Sequence, residues 1–140
     1  MIAEAVERYI AYLEALTPAG LDRLSEHCAT EVRFSDPFNE VVGLAGYRRV
    51  LEEMFEDIGQ PDFVVTGRAL AGEALHLCWR LSGRGPGGRA LHIEGMSEIR
   101  FDAAGLVVAH ADFWDAGIVY EQIPLLGALI RLVKRRLAVG

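Results

Sequence analysis

The order of apolar and polar positions divides the chain into a helical first half and a stranded second half. In residues 2–16, Ile2, Val6, Tyr9, Leu13 and Leu16 recur at spacings of four and three, which places them on one side of a helix lying on a core, with Tyr9 inward. Thr17 followed by Pro18 reads as the cap and first residue of a short second helix carrying Leu21, Leu24 and Cys28. A short apolar run ends at Phe34. The segment Ser35, Asp36, Pro37 then breaks regular structure, because proline lacks the amide donor and holds its predecessor extended, so Asp36 is expected on a fixed bend. A third helix is expected from Leu44 to Ile58, with Tyr47, Leu51, Met54 and Ile58 on one side and Gly59 as its stop.

Beyond that point the period changes from 3.6 to two. Leu75, Leu77, Trp79 and Leu81 alternate with His76, Cys78 and Arg80, the signature of a strand with one buried face. A Gly-rich stretch from Gly83 to Gly88 turns the chain into a longer strand over residues 89–101. There Leu91, Ile93, Gly95, Ser97, Ile99 and Phe101 share one face, and Glu94, Met96, Glu98 and Arg100 the other. Asp102 to Gly105 supply a hairpin turn into a last strand, where Leu106, Val108, His110, Asp112 and Trp114 share a face. Small residues such as Gly95 let long strands bend, and the concave side of a bent sheet opposite helices makes an apolar pocket. The final stretch is an amphipathic helix, with Leu126, Leu129, Ile130, Val133 and Leu137 on one side and Arg131, Lys134 and Arg135 on another.

With 140 residues, 51% of them hydrophobic, the chain is long enough for one well-buried core and too short for two ordinary domains. The expected division is one domain over 1–122 and a helical tail over 123–140. No run approaches the roughly 18 apolar residues of a membrane span and no leader pattern opens the chain, so a cytoplasmic address is expected. Cys28 and Cys78 lack metal-ligand spacing and are expected as inert core thiols. Neither a metal nor a cofactor is expected. A net charge of −6 argues against nucleic acid as partner. Residues 124–140 carry Arg131, Lys134, Arg135, Arg136 and no acid, leaving 10 basic against 20 acidic residues elsewhere. The tail reads as a lid or buttress on the domain or its twin ahead of a membrane-surface contact, because one basic helix of this length binds lipid weakly. Met96 among charges on the outer sheet face points to a homodimer.

Several groups of residues resemble ketosteroid isomerases and SnoaL-like polyketide cyclases of the nuclear transport factor 2-like superfamily. They are Glu7 to Ile10, Phe34 to Pro37 with Gly43 following, and Ile99 to Val108 in the closing hairpin. The resemblance implies an α+β fold in which a cone-shaped, mainly antiparallel mixed sheet wraps the N-terminal helices around an apolar pocket. It implies a cofactor-independent acid–base enzyme for a small hydrophobic carbonyl compound. Asp36 falls on the isomerases' general base and Tyr9 on their oxyanion-binding tyrosine, while Ser97 stands where they keep a protonated aspartic acid. SnoaL-like cyclases place an acid–base aspartate on the last strand, which makes Asp112 a second candidate base, with His110 and Trp114 as ligand-binding neighbours. The alternative is a non-catalytic ligand-binding or dimerisation module, since a fold does not by itself fix a function.

Overall fold

The computed structural model describes residues 2–140, apart from the side chain of Gln60. The first helix, α1 (Ile2–Glu14), buries Val6, Tyr9, Ile10 and Leu13, the stripe that its 3.6-residue period demands. Thr17 caps the following 3₁₀ turn, Pro18–Arg23, by accepting from the Gly20 amide at 3.2 Å. This turn leads into α2 (Leu24–His27). After β1 (Cys28–Ser35), the bend at Asp36 and the short β2 (Glu40–Val42), α3 (Leu44–Asp57) buries Tyr47 and Leu51.

The second half is β3 (Gly59–Ala71), β4 (Ala74–Arg84), β5 (Ala90–Phe101) and β6 (Val107–Trp114), followed by α4 (Gly117–Tyr120) and α5 (Leu126–Leu137). All six strands form one mixed sheet in the order β2-β1-β6-β5-β4-β3, antiparallel except for the β1–β6 pair. Its inner face carries Leu75, Leu77, Trp79 and Leu81 from β4 and Leu91, Ile93, Ser97 and Ile99 from β5, packed against α1 and α3. Leu75, Leu77 and Ile99 are wholly inaccessible, and truncating such a residue to alanine costs about 2–5 kcal/mol.

Four expectations need correction. The first half also contains strands β1 and β2, and β3 directly follows α3. Gly59 starts that strand, and the residue ending the helix, Ile58, is extended. β3 escapes the period-two pattern because it is an edge strand interrupted by Pro61 and by register shifts between Gly59 and Asp62 and between Val65 and Gly67. The alternation of β6 slips at its start, where a register shift after Arg100 puts Val107 in the core and displaces Val108 from the face of His110. Finally, Cys78 is exposed on the outer sheet face, whereas Cys28 is buried, its thiol pushed up to about 12 by desolvation.

Candidate functional site

The helices and the concave sheet face enclose a cavity of about 600 Å³. Most of its wall is apolar or aromatic, including Phe34, Tyr47, Phe63, Trp79 and Trp114. Among the described residues its lining includes five carboxylates, from Glu14, Asp36, Glu53, Asp57 and Asp112, and no lysine or arginine. The segment after β6 closes one side through Val119, Gln122, Ile123 and Pro124.

A hydrogen-bonded chain of side chains runs along this wall. Ser97 and Asp112 are direct cross-strand neighbours on β5 and β6, so the serine hydroxyl donates to Asp112 Oδ1 at 2.5 Å. Trp79 Nε1 donates to Ser97 Oγ at 2.8 Å. The indole can lie across β5 because its partner in register is Gly95, where a Cβ would fall 2.5 Å from the ring. Two residues before Asp112, on the same strand face, His110 Nε2 stands 2.7 Å from the same Oδ1. The other imidazole nitrogen, Nδ1, lies 2.7 Å from the Tyr9 hydroxyl, which is 2.8 Å from the hydroxyl of Tyr47. Thus α1, α3, β4 and β5 each contribute one side chain, and β6 two, to one polar chain inside an apolar core.

Donor and acceptor roles follow from the chemistry of the ends. Indole only donates and an ionised carboxylate only accepts, so Ser97 must give its hydrogen to Asp112 and His110 must carry one on Nε2. In the neutral imidazole Nδ1 is then an acceptor, served by Tyr9, and Tyr9 in turn accepts from Tyr47. Burial raises the pKa of both phenols well above its ordinary value, so both keep their hydrogens. Both donors to Asp112 converge on Oδ1, and Oδ2 takes no hydrogen bond from the described residues.

Asp36 also lines the cavity, but its carboxylate organises its own bend. Oδ1 accepts from the amides of Phe38 and Asn39 at 2.8 and 2.7 Å, and the Asn39 side-chain amide reaches both oxygens at 3.1 and 3.2 Å. Phe38 of that bend meets the edge of Trp114 with ring centres 5.4 Å apart. No group of three or more potential metal ligands occurs among the described residues.

A family model for the SnoaL-like domain matches residues 6–110. The chain belongs to the SnoaL-like domain family. The match stops at His110, so Asp112 and Trp114 lie just past its end. Solved structures with the same fold include a candidate SnoaL-like polyketide cyclase from Jannaschia sp. CCS1, with TM-score 0.75 and 19% identity over 88% of this chain and 91% of that one. AclR, a candidate hydroxylase from Streptomyces galilaeus, has TM-score 0.72 and 18% identity over 91% and 98%. A protein with a ketosteroid isomerase-like fold from Catenulispora acidiphila, solved with trimethylamine, has TM-score 0.70 and 15% identity over 87% and 93%. No curated protein matches the sequence significantly. At these identities the likeness shows the fold.

Of the residues singled out from the sequence of this SnoaL-like domain, Asp36, His110, Asp112 and Trp114 line the cavity. Tyr9 and Ser97 lie one layer behind it, with their hydroxyl hydrogens given to His110 and Asp112, and so do not line the cavity. Sequence reasoning missed Tyr47 and Trp79 as members of the chain. Both sit on inner stripes, where a tyrosine or tryptophan signals core packing, and nothing in their spacing distinguishes a hydrogen-bonded ring from a packed one.

Proposed function

We propose that the cavity performs cofactor-independent acid–base chemistry on a small apolar carbonyl compound, with Asp112 as the base. Supporting this reading is a carboxylate on the wall of an apolar cavity whose one oxygen is fixed by Ser97 and His110 while the other is unengaged. A proton leaves the carbon next to the carbonyl for Asp112, the C–H electron pair becomes the enolate, and the proton returns to a second carbon or follows ring closure. His110 and Ser97 hold the carboxylate and Trp114 walls the ring system. Asp36 shapes the bend that seats Trp114, its oxygens being held by Phe38 and Asn39.

The test is hydrogen–deuterium exchange at the carbon next to the carbonyl of 1-tetralone in heavy water, followed by NMR. Wild type should catalyse exchange, and Asp112→Asn should lower the rate by about a hundredfold to ten-thousandfold, with Asp36→Asn within a few fold of wild type. No exchange of a ketone that binds, or equal loss in both variants, would overturn the assignment. One observation favours a second reading, a non-catalytic binding module: the hydroxyls of Tyr9 and Ser97 are already spent on protein acceptors. It predicts ketone binding with no exchange in any variant.

A further inference from the structure

The tyrosine end of the chain described above has one polarity while His110 is neutral and the opposite one when His110 is protonated. In the neutral state every hydrogen points toward Asp112, and Tyr47 turns its own hydrogen to Tyr9. An imidazolium carries hydrogens on both nitrogens: Nε2 still donates to Asp112, but Nδ1 must now donate, and the Tyr9 oxygen at 2.7 Å is nearer than that of Tyr47 at 3.4 Å. Tyr9 can then no longer give its hydrogen to Nδ1 and passes it to Tyr47, 2.8 Å away. The hydrogen of Tyr47 is left without a protein acceptor, and of the two tyrosines Tyr47 is the one that lines the cavity.

We infer that Tyr47 is the ligand-facing hydrogen-bond donor of the cavity and that proton uptake by His110, relayed through Tyr9, makes its hydrogen available. The inference rests on the acid–base reading only in using the same cavity. Tyr9 is then a positioning residue that reverses direction. The groups that face His110 from the surrounding elements are Asp112 on its own strand, Tyr9 on α1, Tyr47 on α3 and the uncharged ring of Phe34 on β1. No arginine or lysine forms an ion pair within this set among the described residues, so the proton is balanced by Asp112 alone. A ligand oxygen that accepts from Tyr47 stabilises the protonated state, and by linkage its binding draws a proton from solvent.

The experiment is isothermal titration calorimetry in buffers of different ionisation enthalpy, with two probes of nearly equal shape. 1-Tetralone offers a carbonyl acceptor and no donor, and tetralin offers neither. At a pH where His110 starts neutral, tetralone should bind with uptake approaching one proton. Its apparent Kd should then rise about tenfold per pH unit, while tetralin binds with no exchange. Tyr9→Phe should abolish the uptake and spare tetralin, and Tyr47→Phe should do the same. Tetralone binding without proton uptake in wild type, or uptake that survives Tyr9→Phe, would overturn the inference while leaving the assignment of Asp112 to be decided by deuterium exchange. Failure of both probes to bind would overturn the cavity reading and this inference together.

Discussion

Two tyrosine–histidine pairs sit within one turn of each other along α1, and they are put to different uses. Tyr9 meets His110 edge-on through a 2.7 Å hydrogen bond that leads on to a carboxylate and the cavity. Tyr12 stacks flat on His27, with ring centres 4.1 Å apart, and spends its hydroxyl on the carbonyl of Gly20 at 2.9 Å. His27 Nδ1 is buried without a hydrogen-bond partner among the described residues, and desolvation, aided by Arg8, lowers its pKa below the ordinary value. The difference lies in where each imidazole's second nitrogen leads. A histidine that ends against a ring and a dead-end nitrogen only packs, whereas one that bridges a phenol and a carboxylate has two directions in which to pass a hydrogen.

Substitutions can break this contrast, and the largest effect should come from His110→Phe. It keeps the ring in the aromatic cluster but leaves the Tyr9 hydroxyl and Asp112 Oδ1 each short of a partner. Urea unfolding should show a loss of about 2–4 kcal/mol, from the cost of buried groups left unpaired. Gly95→Ala acts from the other end of the chain, pushing a methyl into the Trp79 ring and against the Phe113 carbonyl 3.0 Å away. About 1–3 kcal/mol should be lost, together with the Trp79–Ser97 bond, seen as a shift in tryptophan emission. Tyr12→Phe removes one neutral hydrogen bond, so it should cost about 1 kcal/mol in thermal unfolding and leave tetralone affinity unchanged.

The smallest effect sharpens the contrast by its sign. Because the pKa of His27 is depressed in the fold, the unfolded chain binds the extra proton first, so stability is complete above about pH 6.5 and declines as the pH falls below it. His27→Phe keeps the stack on Tyr12 and deletes the unpartnered nitrogen. It should flatten that acid limb and be neutral or stabilising by a few tenths of a kcal/mol at neutral pH. A variant as acid-labile as wild type would show that another group governs the limb.

The strands that define the polar wall of the cavity were the legible ones. β4 and β5 each bury one face, so simple alternation places Leu75, Leu77, Trp79, Ser97 and Ile99 inward. The same rule puts His110, Asp112 and Trp114 together, because the slip in β6 comes before them. β1 was hidden because its nearby partner β2 is only three residues long and its other partner, β6, lies more than seventy residues away in sequence, and β3 because Pro61 and its register shifts interrupt the pattern. That Tyr9 and Ser97 lie one layer behind the cavity was illegible for a different reason. Alternation and helical phase say which side of an element a residue faces. Whether a hydroxyl reaches the cavity or stops at another side chain depends on distances of an ångström set by three elements at once. The basic tail shows the same limit: its amphipathic pattern was plain, yet Leu129, Val133 and Leu137 are exposed, and the helix meets the body through Gly127, Arg131 and Lys134.

The lining of five carboxylates without a lysine or arginine among the described residues biases the cavity by charge as well as by shape. An anionic compound would have to shed its hydration against aromatic rings and aspartates, with no arginine or lysine on the wall to replace the lost water. Under this reading, acyl phosphates, sulfates and free fatty or aromatic acids should bind more weakly than the matching esters, ketones and amines, which a comparison of affinities checks. A methyl ester should therefore enter where its own hydrolysis product does not, so that any reaction unmasking a carboxylate would also eject what it made.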